Sequence, residues 1–269
     1  MKKGWKSKWL YGIIILTSIY FIIGVLLYFI QDLFLFHPKS LKPDHKFAFT
    51  QAYQEENILI NGRNLSIIKF NPAIQPKGIV LFFHGNMENV EHYKQYPSIF
   101  TSQGYSTWMI DYPGFGKSTG KRTENIMYQD ASLMYDQAVK LYQPSQILVY
   151  GKSIGTGVAA YLASVRKIDQ LILESPYYGM EELMRHYIPI YPVSILTNYA
   201  FPIHSYLKMS NSPTTIFHGT DDEVIPFDQS VRLKKENNNV ELISIKGGKH
   251  NNLATYPLYK AKIDFLLSH

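Results

Sequence analysis

The chain's 269 residues suffice for one α/β domain with a large core, and the absence of cysteine excludes disulfides and thiolate metal sites. Its net charge of +6 is spread over scattered lysines and arginines, with no long basic run beyond the N-terminus. Without a docking motif, that pattern argues for solubility and contact with anionic lipid, and against nucleic acid.

Residues 10–30 contain no charged side chain. As a helix rising about 1.5 Å per residue they span roughly 30 Å, the hydrocarbon thickness of a bilayer. Trp5, Trp9, Tyr11 and Tyr28 sit near the two ends, where an aromatic belt would lie. The run is longer than the apolar core of a signal peptide, and no cleavage-like small-residue site follows, so an uncleaved anchor is expected. Lys2, Lys3, Lys6 and Lys8 precede it, which places the N-terminus (1–9) in the cytoplasm and the rest outside. Lys39, Lys42 and Lys46 on the far side pull against that orientation.

Residues 31–56 read as a juxtamembrane connector broken by Pro38 and Pro43. Residues 57–71 alternate around Asn61-Gly62, a hairpin signal. Apolar runs then follow at 78–83, 105–110, 146–150, 170–173, 214–217 and 240–245. Helical patterns fall between and after them, at about 90–103, 124–142, 154–167, 227–236 and 256–267. Strands alternating with helices after an antiparallel start predict a mostly parallel, doubly wound sheet over 57–269. One segment, 176–211, departs from the alternation. Pro176, Pro189, Pro192 and Pro202 lie there among Tyr177, Tyr178, Tyr187, Tyr191, Tyr199, Phe201 and Tyr206. It reads either as irregular helices closing the core or as a small lid giving an apolar substrate an aromatic wall.

The chemistry centres on Gly151-Lys152-Ser153-Ile154-Gly155, between the apolar run 146–150 and the small-residue helix pattern that follows. Strand, G-x-S-x-G, helix is the context of a nucleophile elbow. A serine hydroxyl needs a base, and the base needs an orienting carboxylate, expected in the order Ser, acid, His. His250 in Gly247-Gly248-Lys249-His250 is the expected base. The acid lies in His218-Gly219-Thr220-Asp221-Asp222-Glu223-Val224-Ile225-Pro226. Asp222, three after Gly219 and four before Pro226, is favoured, with Asp221 and Glu174 as alternatives. Two backbone donors should stabilise an oxyanion. These are the amide of Ile154 and that of Asn86 in His84-Gly85-Asn86, with Met87 as the alternative to Asn86. His84 and Asp111 read as loop braces, and Lys152 as a solvated charge. No metal-ligand spacing appears, and no cofactor is expected.

Phe83-His84-Gly85-Asn86, Asp111-Tyr112-Pro113-Gly114-Phe115-Gly116-Lys117-Ser118, the elbow, the acid loop and His250 together resemble the α/β-hydrolase-fold serine hydrolases. More narrowly, they resemble the membrane-anchored α/β-hydrolase-domain proteins, which include acyl-thioesterase and peptidase-like relatives. The resemblance covers about residues 36–269 and carries the acid onto Asp222. It implies a Ser153–His250–Asp222 triad acting on an ester or thioester, with an apolar acyl group, beside a lipid bilayer. A serine peptidase and a non-catalytic membrane-tethered scaffold are the other readings. Where the family commonly has Asn-Ala-Gly-Asn, this chain has Asn86-Met87-Glu88-Asn89, a bulkier and charged loop.

Overall fold

The computed structural model describes residues 3–268, and side chains from residue 8 onward. Lys2 and the side chains of Lys3, Trp5 and Lys6 therefore lie outside the described residues. The chain begins with helix α1 (Lys3–Leu35), whose part from Lys8 to Leu35 is long and apolar enough to cross a membrane. The helix runs past the expected boundary at residue 30 and stops three residues before Pro38. The connector is tied down: His37 and Pro38 pair in parallel with Met87 and Glu88, and Ser40 bridges to Gly116.

An eight-stranded sheet follows. Its strands are β1 (Gln54–Ile60), β2 (Arg63–Phe70), β3 (Gly78–Phe83), β4 (Tyr105–Ile110), β5 (Ile147–Lys152), β6 (Gln170–Glu174), β7 (Thr214–Gly219) and β8 (Val240–Ile245). The spatial order is β8-β7-β6-β5-β3-β4-β2-β1. β1 and β2 form the expected antiparallel hairpin, β2 runs antiparallel to β4, and β3 to β8 are mutually parallel. Alternate side chains of β3 point to opposite layers, as strand geometry requires. Ile79, Leu81 and Phe83 meet α3 (Glu124–Ala138) and α4 (Gly155–Val165), while Val80 and Phe82 meet α2 (Tyr96–Thr101) and the helix Pro257–Leu267. Covering helices on both faces let β3, β4, β5 and β7 be buried end to end. The helix expected over 90–103 is split into a short turn at Val90–Tyr93 and α2. Pro97 explains the break, because proline is tolerated only in a helix's first turn.

Residues 176–211 fold as three short helices, α5 (Met180–Tyr187), α6 (Val193–Leu196) and α7 (Ile203–Met209). Their aromatics do not form one wall. Tyr199 and Phe201 are buried in the core, Tyr206 packs on Tyr128 and Tyr161, and Tyr191 stacks on Tyr20 of α1.

Lys152 is not solvated. Lys152 and Glu174 are register neighbours at the ends of β5 and β6. Their buried side chains form an ion pair at 2.5 Å. The carboxylate also accepts from the hydroxyls of Tyr96 (2.9 Å), Tyr259 (3.1 Å) and Tyr150. Burial alone would raise the Glu174 pKa, but Lys152 and the hydroxyls of Tyr150 and Tyr96 hold it below the ordinary value. Lys152 donates to the His250 carbonyl at 3.1 Å, so the cluster also supports the loop of the expected base. Removing one partner of a buried pair strands the other charge, so Glu174→Gln should lose about 3–5 kcal/mol of stability. The double variant Lys152→Met/Glu174→Gln should recover part of that loss. Denaturant unfolding followed by tryptophan fluorescence checks both, and a loss under about 1 kcal/mol for Glu174→Gln would contradict the pairing.

Candidate active site

β5 ends at Lys152 and α4 begins at Gly155, leaving Ser153 on a turn with φ of 52°, in the left-handed region. The two glycines of the pattern are required by contact. A Cβ on Gly155 would lie 2.2 Å from the Phe83 carbonyl oxygen, and one on Gly151 would lie 2.7 Å from the Ala159 Cβ. The helix can therefore start against β3, and the turn places Ser153 in the lining of a cavity at the carboxyl ends of the strands.

His250 Nε2 lies 3.0 Å from Ser153 Oγ. On the other side of the ring, His250 Nδ1 lies 2.8 Å from Asp222 Oδ2 and 3.1 Å from Oδ1. A carboxylate facing Nδ1 fixes the proton there and leaves Nε2 free to accept the serine proton. Asp222 is itself held by the amides of Val224 (2.9 Å) and Ile225 (2.8 Å). Asp221 is exposed and accepts from the Thr220 hydroxyl, while Glu174 belongs to the lysine cluster, so neither faces the imidazole.

One further histidine belongs to this array. His218 is fully buried, with Nε2 3.3 Å from Asp222 Oδ2 and 3.0 Å from the Ile225 carbonyl. Two acceptors at Nε2 place the proton on that nitrogen, so Nδ1 accepts from the Ser230 hydroxyl at 2.6 Å. In the sequence His218 stands out only as the start of the acid loop. Its four-residue spacing to Asp222 on one tight loop was the available signal.

The two expected oxyanion donors stand differently from their alternative. Among the described residues, neither the Asn86 nor the Ile154 amide donates to a protein acceptor, whereas the Met87 amide donates to the Tyr93 hydroxyl at 3.3 Å. Asn86 and Ile154 both line the cavity. The Asn86 loop is fastened to α1 and the residues after it. Its side chain donates to the Leu35 carbonyl at 3.1 Å, and its carbonyl accepts from the His37 amide at 2.9 Å. Glu88 turns away to Lys39 (3.4 Å) and His92 (3.5 Å), so the charge in this loop stays out of the cavity. Buried His84 and Asp111 brace the neighbouring loops. His84 Nδ1 donates to the Gly85 carbonyl at 2.7 Å, and Asp111 accepts from the Val90 amide at 2.9 Å.

The cavity holds about 500 Å³. Ser153, Ile154 and Asn86 form its floor, with Val224 and Ile225 from the acid loop. One wall is α5, through Met180, Leu183, Met184 and Tyr187, with Ile188 just beyond. The opposite wall is the last part of α1, through Leu27, Gln31, Phe34 and Leu35. Of the seven aromatics in 176–211 only Tyr177 and Tyr187 reach it, so the wall is chiefly aliphatic. No aspartate or glutamate among the described residues lines it. Among the described residues, no three His, Asp or Glu side chains converge on a metal-sized space.

Burial would raise the Asp222 pKa, but hydrogen bonds from His218 and His250, the His250 charge and the Ile225 amide outweigh it. The carboxyl is held well below the ordinary carboxylate range. A depressed folded-state pKa contributes stability above the unfolded value of about 3.9, and loses it as pH falls toward the folded value. The stability gap between the wild type and Asp222→Asn should therefore narrow as pH falls from about 5 to about 3. Thermal melts across that range check this, and a constant gap would contradict it.

The family described as serine aminopeptidase, S33 (Hydrolase_4), matches residues 74–206, a stretch that contains the elbow and stops before Asp222 and His250. Alpha/beta hydrolase domain-containing protein 17C of Xenopus tropicalis is 31% identical over 196 residues, 71% of this chain and 61% of that protein. Protein ABHD12B of Homo sapiens is 29% identical over 175 residues, 58% of this chain and 48% of that protein. The chain thus spans about half to three-fifths of the length of these relatives. An esterase of Pyrococcus furiosus shares the fold, with a TM-score of 0.65 at 19% identity, covering 87% of this chain and 96% of that one. With this strand order and these similarities, the chain has the α/β-hydrolase fold and is similar in sequence to α/β-hydrolase domain-containing proteins.

Proposed function

We propose that this chain is a membrane-anchored serine hydrolase that cleaves carboxylic esters or thioesters with an apolar acyl group. The observation that carries the reading is the continuous chain of contacts from Asp222 through His250 to Ser153, opening on a carboxylate-free apolar cavity. Ser153 Oγ attacks the carbonyl carbon as its proton passes to His250 Nε2. The tetrahedral oxyanion accepts from the Asn86 and Ile154 amides. Collapse expels the alcohol or thiol, which takes the proton from His250 and leaves Ser153 acylated. Water then gives a proton to His250 and its hydroxyl to the acyl carbon, and as the acid leaves the Ser153 oxygen takes that proton back from His250. α1 serves as the anchor, with the basic residues at its N-terminal end on the cytoplasmic side and the catalytic domain outside.

The aminopeptidase description of the matching family favours a second reading, peptide cleavage. A free α-ammonium needs an anionic partner, and the cavity lining offers none, so the ester reading is preferred.

A fluorophosphonate probe should label the wild type and spare Ser153→Ala. Ser153→Ala and His250→Ala should each lose about 10⁴-fold or more in kcat, and the double variant little more, because the members act as a unit. Asp222→Asn should lose about 10²–10⁴-fold, and Asp221→Asn only a few-fold. Across an ester and thioester panel, kcat/KM should rise with acyl length by up to about 0.8 kcal/mol per methylene, then level as the cavity fills. Additive losses in the double variant would reject the array. Activity restricted to acetyl esters would reject the acyl cavity, and cleavage of peptides alone would support the second reading.

A further inference from the structure

α1 does more than lead into the domain, because the segment after α5 lies along it. Tyr20 donates to the Ile190 carbonyl at 2.9 Å, and its ring stacks on Tyr191 at 4.6 Å. The Tyr191 ring covers Gly24, where a Cβ would meet it at 3.4 Å. Lower down, Gln31 donates to the Leu196 carbonyl at 3.1 Å and accepts from the Asn198 amide at 2.7 Å. Residues 190–198 thus follow α1 from Tyr20 to Gln31, roughly 16 Å of helix.

The depth of that contact follows from the charges. Counting the hydrocarbon layer from Lys8, about 20 residues carry it to about residue 28, so Tyr20 sits roughly 12 Å inside. Tilting α1 only deepens it, since more residues are then needed to cross.

The segment is suited to such a place. No charged residue occurs from Tyr187 to Ile203. Ile190 and Ile195 are each 72% exposed, although isoleucine is among the side chains most often buried. Exposed backbone polar groups are costly in hydrocarbon. Here Pro189 and Pro192 have no N–H to satisfy, and the Tyr191, Ile195 and Thr197 amides bond within the segment. The carbonyls of Ile190 and Leu196 are satisfied by Tyr20 and Gln31 of α1. These two polar side chains of α1 find partners in this segment.

We propose that residues 187–196 are embedded in the leaflet that surrounds the C-terminal half of the α1 span, and that the acyl chain of a bilayer-resident ester reaches Ser153 from within that leaflet. It passes between the Leu27–Phe34 face of α1 and Leu183 and Met184 of α5. The embedding rests on α1 crossing the bilayer. The passage of substrate rests also on the esterase reading.

The chain has no cysteine, so single cysteines can be introduced at Ile190, at Ile195 and, as a control, at Ile74, which is 71% exposed in the loop before β3. Each carries an NBD fluorophore on the full chain in phosphatidylcholine vesicles containing lipids brominated on their acyl chains. Quenching at positions 190 and 195 well above that at 74 is expected. Equal quenching at the three positions would overturn the embedding. Ile190 and Ile195 do not line the cavity, so a second measurement isolates access. Ile190→Asp/Ile195→Asp should lower the ratio of kcat/KM for a vesicle-borne long-chain ester to that for a water-soluble short-chain ester by about tenfold or more, because aspartate is disfavoured in hydrocarbon. An unchanged ratio would overturn the proposed passage. Wild-type protein that hydrolyses neither ester would reject the esterase reading, while the quenching result stands apart from it.

Discussion

The close approach of α4 to β3 at Gly155 sets the rest of the site. Only a residue without a Cβ can sit against the carbonyls of Phe83 and His84, and this lets the helix begin with only two residues between it and the strand end. Ser153 takes up the resulting turn in a backbone conformation that most L-residues avoid. The surrounding contacts hold that strain in place: the Ser153 amide donates to the Glu174 carbonyl at 2.9 Å, and α4 is buried from Gly155 to Ala160. The free Ile154 amide at the head of α4 and the Asn86 amide after β3 then border one cavity because their elements are packed together. The buried Lys152–Glu174 pair lies beneath this turn and reaches the His250 carbonyl, so it links the serine strand to the base loop.

A second constraint comes from α1. Its last turns are fastened to the domain by Arg122, which pairs with Asp32 at 3.3 Å and stacks over Phe36 at 4.2 Å. The carbonyl of Leu35 holds the Asn86 side chain, and His37 continues to the same loop. A helix of this length and apolarity would otherwise be read as a tether. Here it supplies one wall of the cavity and steadies the loop of a proposed oxyanion donor. Movement of α1 relative to the domain would therefore alter the cavity as well as the distance from a bilayer.

The parallel sheet was legible because its strands are short apolar runs separated by helical patterns, and the elbow because its glycines flank a serine at a strand end. The placement of Asp222 rather than Asp221 toward His250 follows a spacing visible in the chain, although adjacent carboxylates differ only in the direction each points. Lys152 reads as solvated in the sequence because it sits beside a surface-seeking motif. Its partner lies on a neighbouring strand, and only the β5–β6 register brings the two together. The tyrosines of 176–211 misled for a related reason. Composition shows that a segment can supply aromatics, while the turn geometry decides that Tyr199 and Phe201 go to the core and Tyr191 to α1. The part of α1 lining the cavity was hidden because an apolar face suits a bilayer and an acyl pocket equally well.

The central claim is that Ser153 becomes acylated during turnover. Its most direct test is to mix the protein with a medium-chain thioester, quench with acid within the first turnovers, and map the peptides by mass spectrometry. The account predicts one acyl group on the peptide bearing Ser153, absent when substrate is withheld, and lost on incubation at neutral pH as the bound acyl group hydrolyses. Product formation with no acyl adduct on that peptide, or with the adduct on another residue, would contradict it.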